Sequence, residues 1–184
     1  LAEAGDAYEH AARLAPPNGP LAFENSEVMR SMGQLAWAAE YDRSALSQGG
    51  GNRPEFLREY GRVLKALKAW QPAEALARFA MGRFPSDGMF PLLLGQVYLE
   101  QERWVDAEPW FHRATELMPQ SVEAHAGAGR AALARGDRAA AVRSLWQALQ
   151  RDPYDRQALQ WLQDAQRTQT GAGAVDLPMG GGLP

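Results

Sequence analysis

With 184 residues, 46% of them apolar, the chain carries enough hydrophobic side chains for a continuous core, which excludes disorder of the whole. A net charge of −3 and a pI of about 5.7 exclude a chain built to neutralise phosphates, so no nucleic-acid partner is expected. No run reaches the ~18 apolar residues of a membrane-spanning helix, and the absence of cysteine removes disulfides, zinc-thiolate sites and thiol catalysis while fitting either redox compartment. A chain that begins with Leu1 in place of Met reads as a processed product from which a targeting segment could have been lost.

The opening residues carry Ala4, Tyr8 and Ala11 on one helical face, closed by Pro16. That is half of a helical hairpin, and residues 1–17 read as a half unit whose first helix is missing. A degenerate hairpin is expected from 19 to 50, with Gly33 at its turn and Ala38 and Ala45 on its second helix. Ser26 stands in it where later units place glycine, and Gly49, Gly50 and Gly51 add one residue before the next unit.

The unit from 54 to 87 carries Gly61, Trp70, Ala73, Ala77, Ala80 and Pro85, with Pro54 and Pro72 suited to first helical turns. In the unit from 88 to 121, Leu94 and Tyr98 share one face of a first helix. Ala107, Phe111 and Ala114 share one face of a second, and Pro119 ends it because proline cannot continue the hydrogen-bond ladder. Gly95 is small where two helix backbones are expected nearly to touch. From 122 to 155, Gly129, Ala141, Leu145, Ala148 and Pro153 repeat these positions 34 residues later, with Gly136 and Asp137 as the turn and Asp137 as N-cap. Helix pairs are therefore expected near 21–47, 54–84, 88–118 and 122–151. Residues 155–167 read as a last, capping helix with Leu159 and Leu162 on one face. Residues 168–184, rich in Gly and Pro, read as an extended tail.

This set of residues at a 34-residue period resembles the tetratricopeptide repeat. The match is fullest in Leu94-Gly95-x-x-Tyr98, Ala107-x-x-x-Phe111-x-x-Ala114 and Pro119, with Pro91 departing where a large aromatic is usual. Pentatricopeptide RNA binders have a similar period but are basic and lack the proline. The resemblance implies an all-α, right-handed superhelical solenoid of antiparallel helix pairs spanning 1–167, whose first helices line a concave groove. Groove positions would include Arg58, Arg62 and Lys65, then Met89, Leu92, Gln96 and Leu99, then Glu123, Arg130 and Leu133. This arrangement reads as a cationic wall beside an apolar one, suited to an acidic or C-terminal carboxylate with apolar side chains lying on Leu92 and Leu99. The alternative is a solvated face in which the cations pair with Glu55 and Glu59. The chaperone-tail clamp of some family members is not matched, because it wants Asn where Arg62 and Leu93 stand and basic residues where Glu123 and Gly127 stand. The tail offers Val175, Asp176, Leu177 and Met179 as an extended ligand-like segment.

No catalytic residue, metal site or cofactor is expected. His10, His112 and His125 have no second ligand at metal spacing on their own helix faces, and no serine lies in a nucleophile turn. Gly171-Ala172-Gly173 follows a helix and not a strand, so it is no phosphate loop. Most of the six tryptophans fall at helix-packing positions and read as core. The resulting expectation is a non-enzymatic scaffold or adaptor that binds a peptide or protein segment within a multi-component assembly, with a homo-oligomer through the tail as one form. The Ala/Arg-rich repeats look like those of bacterial envelope secretion or export factors, which puts the periplasm or cell envelope ahead of the cytoplasm. Rival expectations are a domain trimmed from a larger enzyme such as a glycosyltransferase, and a self-assembling structural repeat protein.

Overall fold

The computed structural model describes residues 19–47 and 49–167, so the half unit at 1–17 and the tail at 168–184, with Val175, Asp176, Leu177 and Met179, lie outside the described residues. The chain divides into two compact units, Leu1–Pro119 and Gln120–Pro184. In the first, α1 (Gly19–Ser31) and α2 (Leu35–Ser47) form a hairpin. A 3-10 turn at Gly50–Asn52 leads into α3 (Pro54–Ala66) and α4 (Trp70–Arg83), then α5 (Met89–Glu100) and α6 (Trp104–Leu117). The second unit holds α7 (Val122–Ala134), α8 (Arg138–Leu149) and α9 (Arg156–Arg167). The hairpins lie within a few residues of the ranges expected from the repeat. No described helix is long and apolar enough to cross a membrane.

Each hairpin turn spans three residues and has one solution. Gly33, Lys68, Glu102 and Gly136 hold the middle position with φ of +75°, +55°, +58° and +86°. The next N–H in each case donates back to the first helix at 2.9 Å: Gln34 to Met29, Ala69 to Leu64, Arg103 to Tyr98 and Asp137 to Ala132. A left-handed residue followed by this long-range bond is the Schellman closure, which satisfies carbonyls the helix end would leave bare. As expected, Asp137 caps α8, accepting from the Ala140 N–H at 2.9 Å. Ser121 and Asp155 cap α7 and α9 in the same way, at 3.2 and 2.7 Å.

The small residues at the repeat period let the helices of a pair close together, but the contact at Gly95 differs from a meeting of backbones. A Cβ built there would meet the Phe111 ring at 3.1 Å, so the glycine makes room for an aromatic face. Where Ala77 replaces that ring in the preceding hairpin, Leu93 fills the space, coming within 2.4 Å of a Cβ built at Gly61. In the second unit Leu145 takes the role over Gly129, at 2.6 Å, and there the Ala141 carbonyl oxygen also lies within 3.3 Å.

Two expectations are corrected. In α9 the buried face is Ala158, Leu162 and Ala165, while Leu159 is 37% exposed, because the i, i+4, i+7 stripe starts one residue earlier than the paired leucines suggested. The tryptophans are less buried than expected: Trp37 and Trp161 pack partly buried against the core, Trp70, Trp104 and Trp110 are partly buried and Trp146 is exposed. Small alanines fill the helix interfaces and leave the indoles at the rims, where Arg78 lies over Trp110 at 5.6 Å and Arg130 over Trp161 at 5.3 Å.

Candidate functional site on α1, α3 and α5

In the first unit, α1 and α3 border a depression of about 500 Å³ lined by Glu27, Arg30, Glu55, Arg58, Glu59 and Arg62. Its chemistry follows from helical spacing: Arg58 and Arg62, four residues apart, lie on one face of α3, as do Glu55 and Glu59. Three arginines and three glutamates therefore line one hollow.

The cations are engaged within the protein, Arg62 with Glu59 as in the solvated-face alternative, Arg58 and Lys65 with groups beyond their own helix. Arg58 donates from Nε and Nη2 to one oxygen of Asp87, Oδ2, at 2.9 and 2.6 Å. The other oxygen of Asp87 accepts the Met89 N–H at 3.0 Å, so the same carboxylate that holds Arg58 also fastens the start of α5. Arg62 donates to Glu59 at 2.7 Å while its side chain stays 58% exposed. Lys65 donates to Gln96 Oε1 at 2.6 Å, which ties α3 to α5. Of the residues expected to form the apolar wall, Leu92 and Leu99 are buried, at 2% and 5% exposure, whereas Met89 is partly buried. An open apolar surface at Leu92 and Leu99 is therefore not what the first unit presents, because α5 is apolar around nearly its whole circumference and is enclosed accordingly.

The remaining positions expected in the groove belong to the second unit. Glu123 is exposed, Arg130 stacks on Trp161, and Leu133 packs partly buried against the core of that unit.

Sequence reasoning missed a polar cluster beneath the depression. Asp42 on α2 is wholly buried, and among the described residues neither of its carboxylate oxygens has a hydrogen-bond partner. Arg30 Nη1 lies 3.5 Å from Asp42 Oδ2 and donates to Ser26 Oγ at 2.8 Å. Burial pushes the Asp42 carboxyl up to about 6, against the pull of Ser26 and Arg30 and with a further push from Glu59. The signal was present: once the added glycine is counted, Asp42 falls in phase with Ala77, Phe111 and Leu145. A carboxylate there opposes Ser26 as those residues oppose glycines.

A second network joins α4 to α5. The Tyr98 hydroxyl donates to Glu74 Oε1 at 2.7 Å and accepts from Arg78 at 2.8 Å, with Arg103 over the Tyr98 ring at 4.3 Å. The Tyr98 hydrogen bond, helped by Arg78, holds the Glu74 carboxyl below its usual range. His112, also outside the depression, lies exposed beside Glu108, and His125 is buried in α7.

No protein-family model matches the chain, and no curated protein matches it. Solved structures do. MamA of Desulfovibrio magneticus, from its residue 41 to the end, superposes with a TM-score of 0.74 at 20% identity over 83% of this chain and 85% of that one. A thermophilic TPR protein of Thermus thermophilus gives 0.67 at 19% identity over 82% of each chain. The first TPR of Spaghetti (RPAP3), bound to the HSP90 peptide SRMEEVD, gives 0.62 at 18% identity over 64% and 94%. With the helix pairs and their turns, these likenesses show that the chain has the all-α tetratricopeptide-repeat fold.

Proposed function

We propose that the chain is a non-enzymatic interaction scaffold, and that the face of α1, α3 and α5 holds an extended, acidic segment of a protein partner. The observation that carries this reading is the depression itself, where Arg62 is more than half exposed and is paired with Glu59, a neighbour on its own helix. Such an exposed pair is worth little and exchanges readily for a ligand carboxylate. The peptide seen on the Spaghetti TPR carries two glutamates, an aspartate and one arginine, which supports acidic segments as a class of ligand for this fold. The setting we favour is a multi-component assembly of a bacterial envelope secretion or export type. The tail segment, with apolar Val175, Leu177 and Met179 at alternate positions and one acid, Asp176, makes the tail of a second copy one such segment.

Charge reversal has to be placed with care. Arg58→Glu would set a carboxylate against Asp87 and loosen the start of α5, so it tests folding and binding together. Arg62→Glu, among the described residues, breaks the ion pair with Glu59 on the same helix. Acidic peptides selected on the wild-type protein are expected to bind Arg62→Glu about tenfold more weakly by titration calorimetry, with helical content unchanged. Equal affinity for the two proteins would mean that this face is merely solvated.

A further inference from the structure

Arg30 stands between two sets of acceptor groups. On one side are Ser26 Oγ at 2.8 Å and the buried Asp42 at 3.5 Å; on the other is the depression, where Glu27 lies 3.9 Å from its Nη2. Its side chain, 18% exposed, reaches both. The equivalent positions elsewhere hold Gly61 and Ala77, with Leu93 filling the space, Gly95 against Phe111 and Gly129 against Leu145, so the hairpin does not need a charge here. A carboxylate buried, among the described residues, without a hydrogen bond is costly, and beside Ser26 it faces a guanidinium that also lines a candidate ligand surface.

We propose that Asp42 regulates the anion affinity of the depression through Arg30: ionised, it draws the guanidinium inward, and protonated, it leaves Arg30 to a ligand carboxylate. An acidic partner then binds more tightly at mildly acid pH. The inference rests on reading the depression as a binding surface. Among the described residues, the groups that face Asp42 come from three helices. From α1 they are Ser26 and Arg30, with Glu27 reached through Arg30; from α3 they are Glu59 and Tyr60. On α2 itself, Glu40 and Arg43 act with Asp42 on the Tyr60 hydroxyl. Burial favours the neutral acid, Glu59 adds to that, and only Ser26 and Arg30 oppose it, so the carboxyl titrates at about 6. Loss of one negative charge behind Arg30 changes the field where a ligand anion would sit, at a range of roughly 7 Å, by enough to alter affinity about five- to tenfold in a partly hydrated site.

Sulfate is a suitable probe because it stays a dianion from pH 5 to 8. The carbon resonance of the Asp42 carboxyl and the Nε resonance of Arg30 are followed through this range in the wild-type protein, with sulfate titrations at pH 5 and 7.5. Arg30 is expected to move with the same midpoint as Asp42, and sulfate to bind about five- to tenfold more tightly at pH 5. Asp42→Asn should show the tight value at both pH values, and Arg30→Gln the weak one. An Arg30 resonance that ignores the Asp42 titration, or an Asp42→Asn protein that keeps the full pH dependence, overturns the switch. Arg30 following Asp42 with no sulfate bound at either pH overturns instead the reading of the depression as a binding surface.

Discussion

At Asp42 the hairpin α1–α2 carries a carboxyl where the equivalent hairpins carry carbon, and the consequence for stability has a definite sign. The folded state holds that proton to about pH 6, against a reference value of 3.8, so between these values the folded chain binds more protons than the unfolded one. The contribution of Asp42 is therefore most favourable below about pH 4, declines as pH rises through 6, and stays flat above that. Holding the proton up to about pH 6 corresponds to a penalty on the order of 3 kcal/mol at neutral pH. Asp42→Asn is expected to leave urea-melt stability nearly unchanged at about pH 4 and to raise it by roughly 1–3 kcal/mol at about pH 8. An equal gain at both pH values would assign the effect to packing and not to charge. The same residue scale separates Arg58 from Arg62: one is bound to the carboxylate that starts α5, the other to its own helix neighbour.

The hairpin turns are the elements in which local chemistry was most legible. Four turns share one left-handed position, yet only Gly33 and Gly136 announce it; Lys68 and Glu102 adopt the same conformation with a Cβ in the way. Their turns form because the return hydrogen bonds from Ala69 and Arg103, and the packing of both flanking helices, outweigh the local strain. Lys68→Gly and Glu102→Gly are accordingly expected to stabilise the fold, by about 0.5–1 kcal/mol each, since relief of the left-handed penalty exceeds the added flexibility of the unfolded chain. Melting temperatures of the single and double variants check this, and a fall in either single variant would contradict it. Helix faces were less legible than turns. The pair Leu159 and Leu162 suggested one buried stripe in α9, but Ala158, Leu162 and Ala165 form it, because a small residue at a close interface is as informative as a large one.

Across the molecule, the repeated hairpin leaves the tail to be accounted for. If residues 168–184 supply an acidic, alternately apolar segment to a second copy, removing residues 169–184 should shift a concentration-dependent assembly to the monomer mass in sedimentation equilibrium. An unchanged mass at every concentration would end that reading. The 34-residue period, the hairpin limits, the cap at Asp137 and the proline stops were legible in the sequence alone, because the caps and stops act within one or two helical turns and the period repeats such local units. Only the tertiary structure decided which carboxylate holds Arg58, which amide holds Lys65, that Leu92 and Leu99 are enclosed, and that Asp42 lies under Arg30. Arg58 and Asp87 are 29 residues apart, and Lys65 and Gln96 are 31 apart. A periodic pattern sets the face on which a side chain lies, but several groups of the right charge share that face. The choice among them, and the burial that follows, is made by the helix packed alongside.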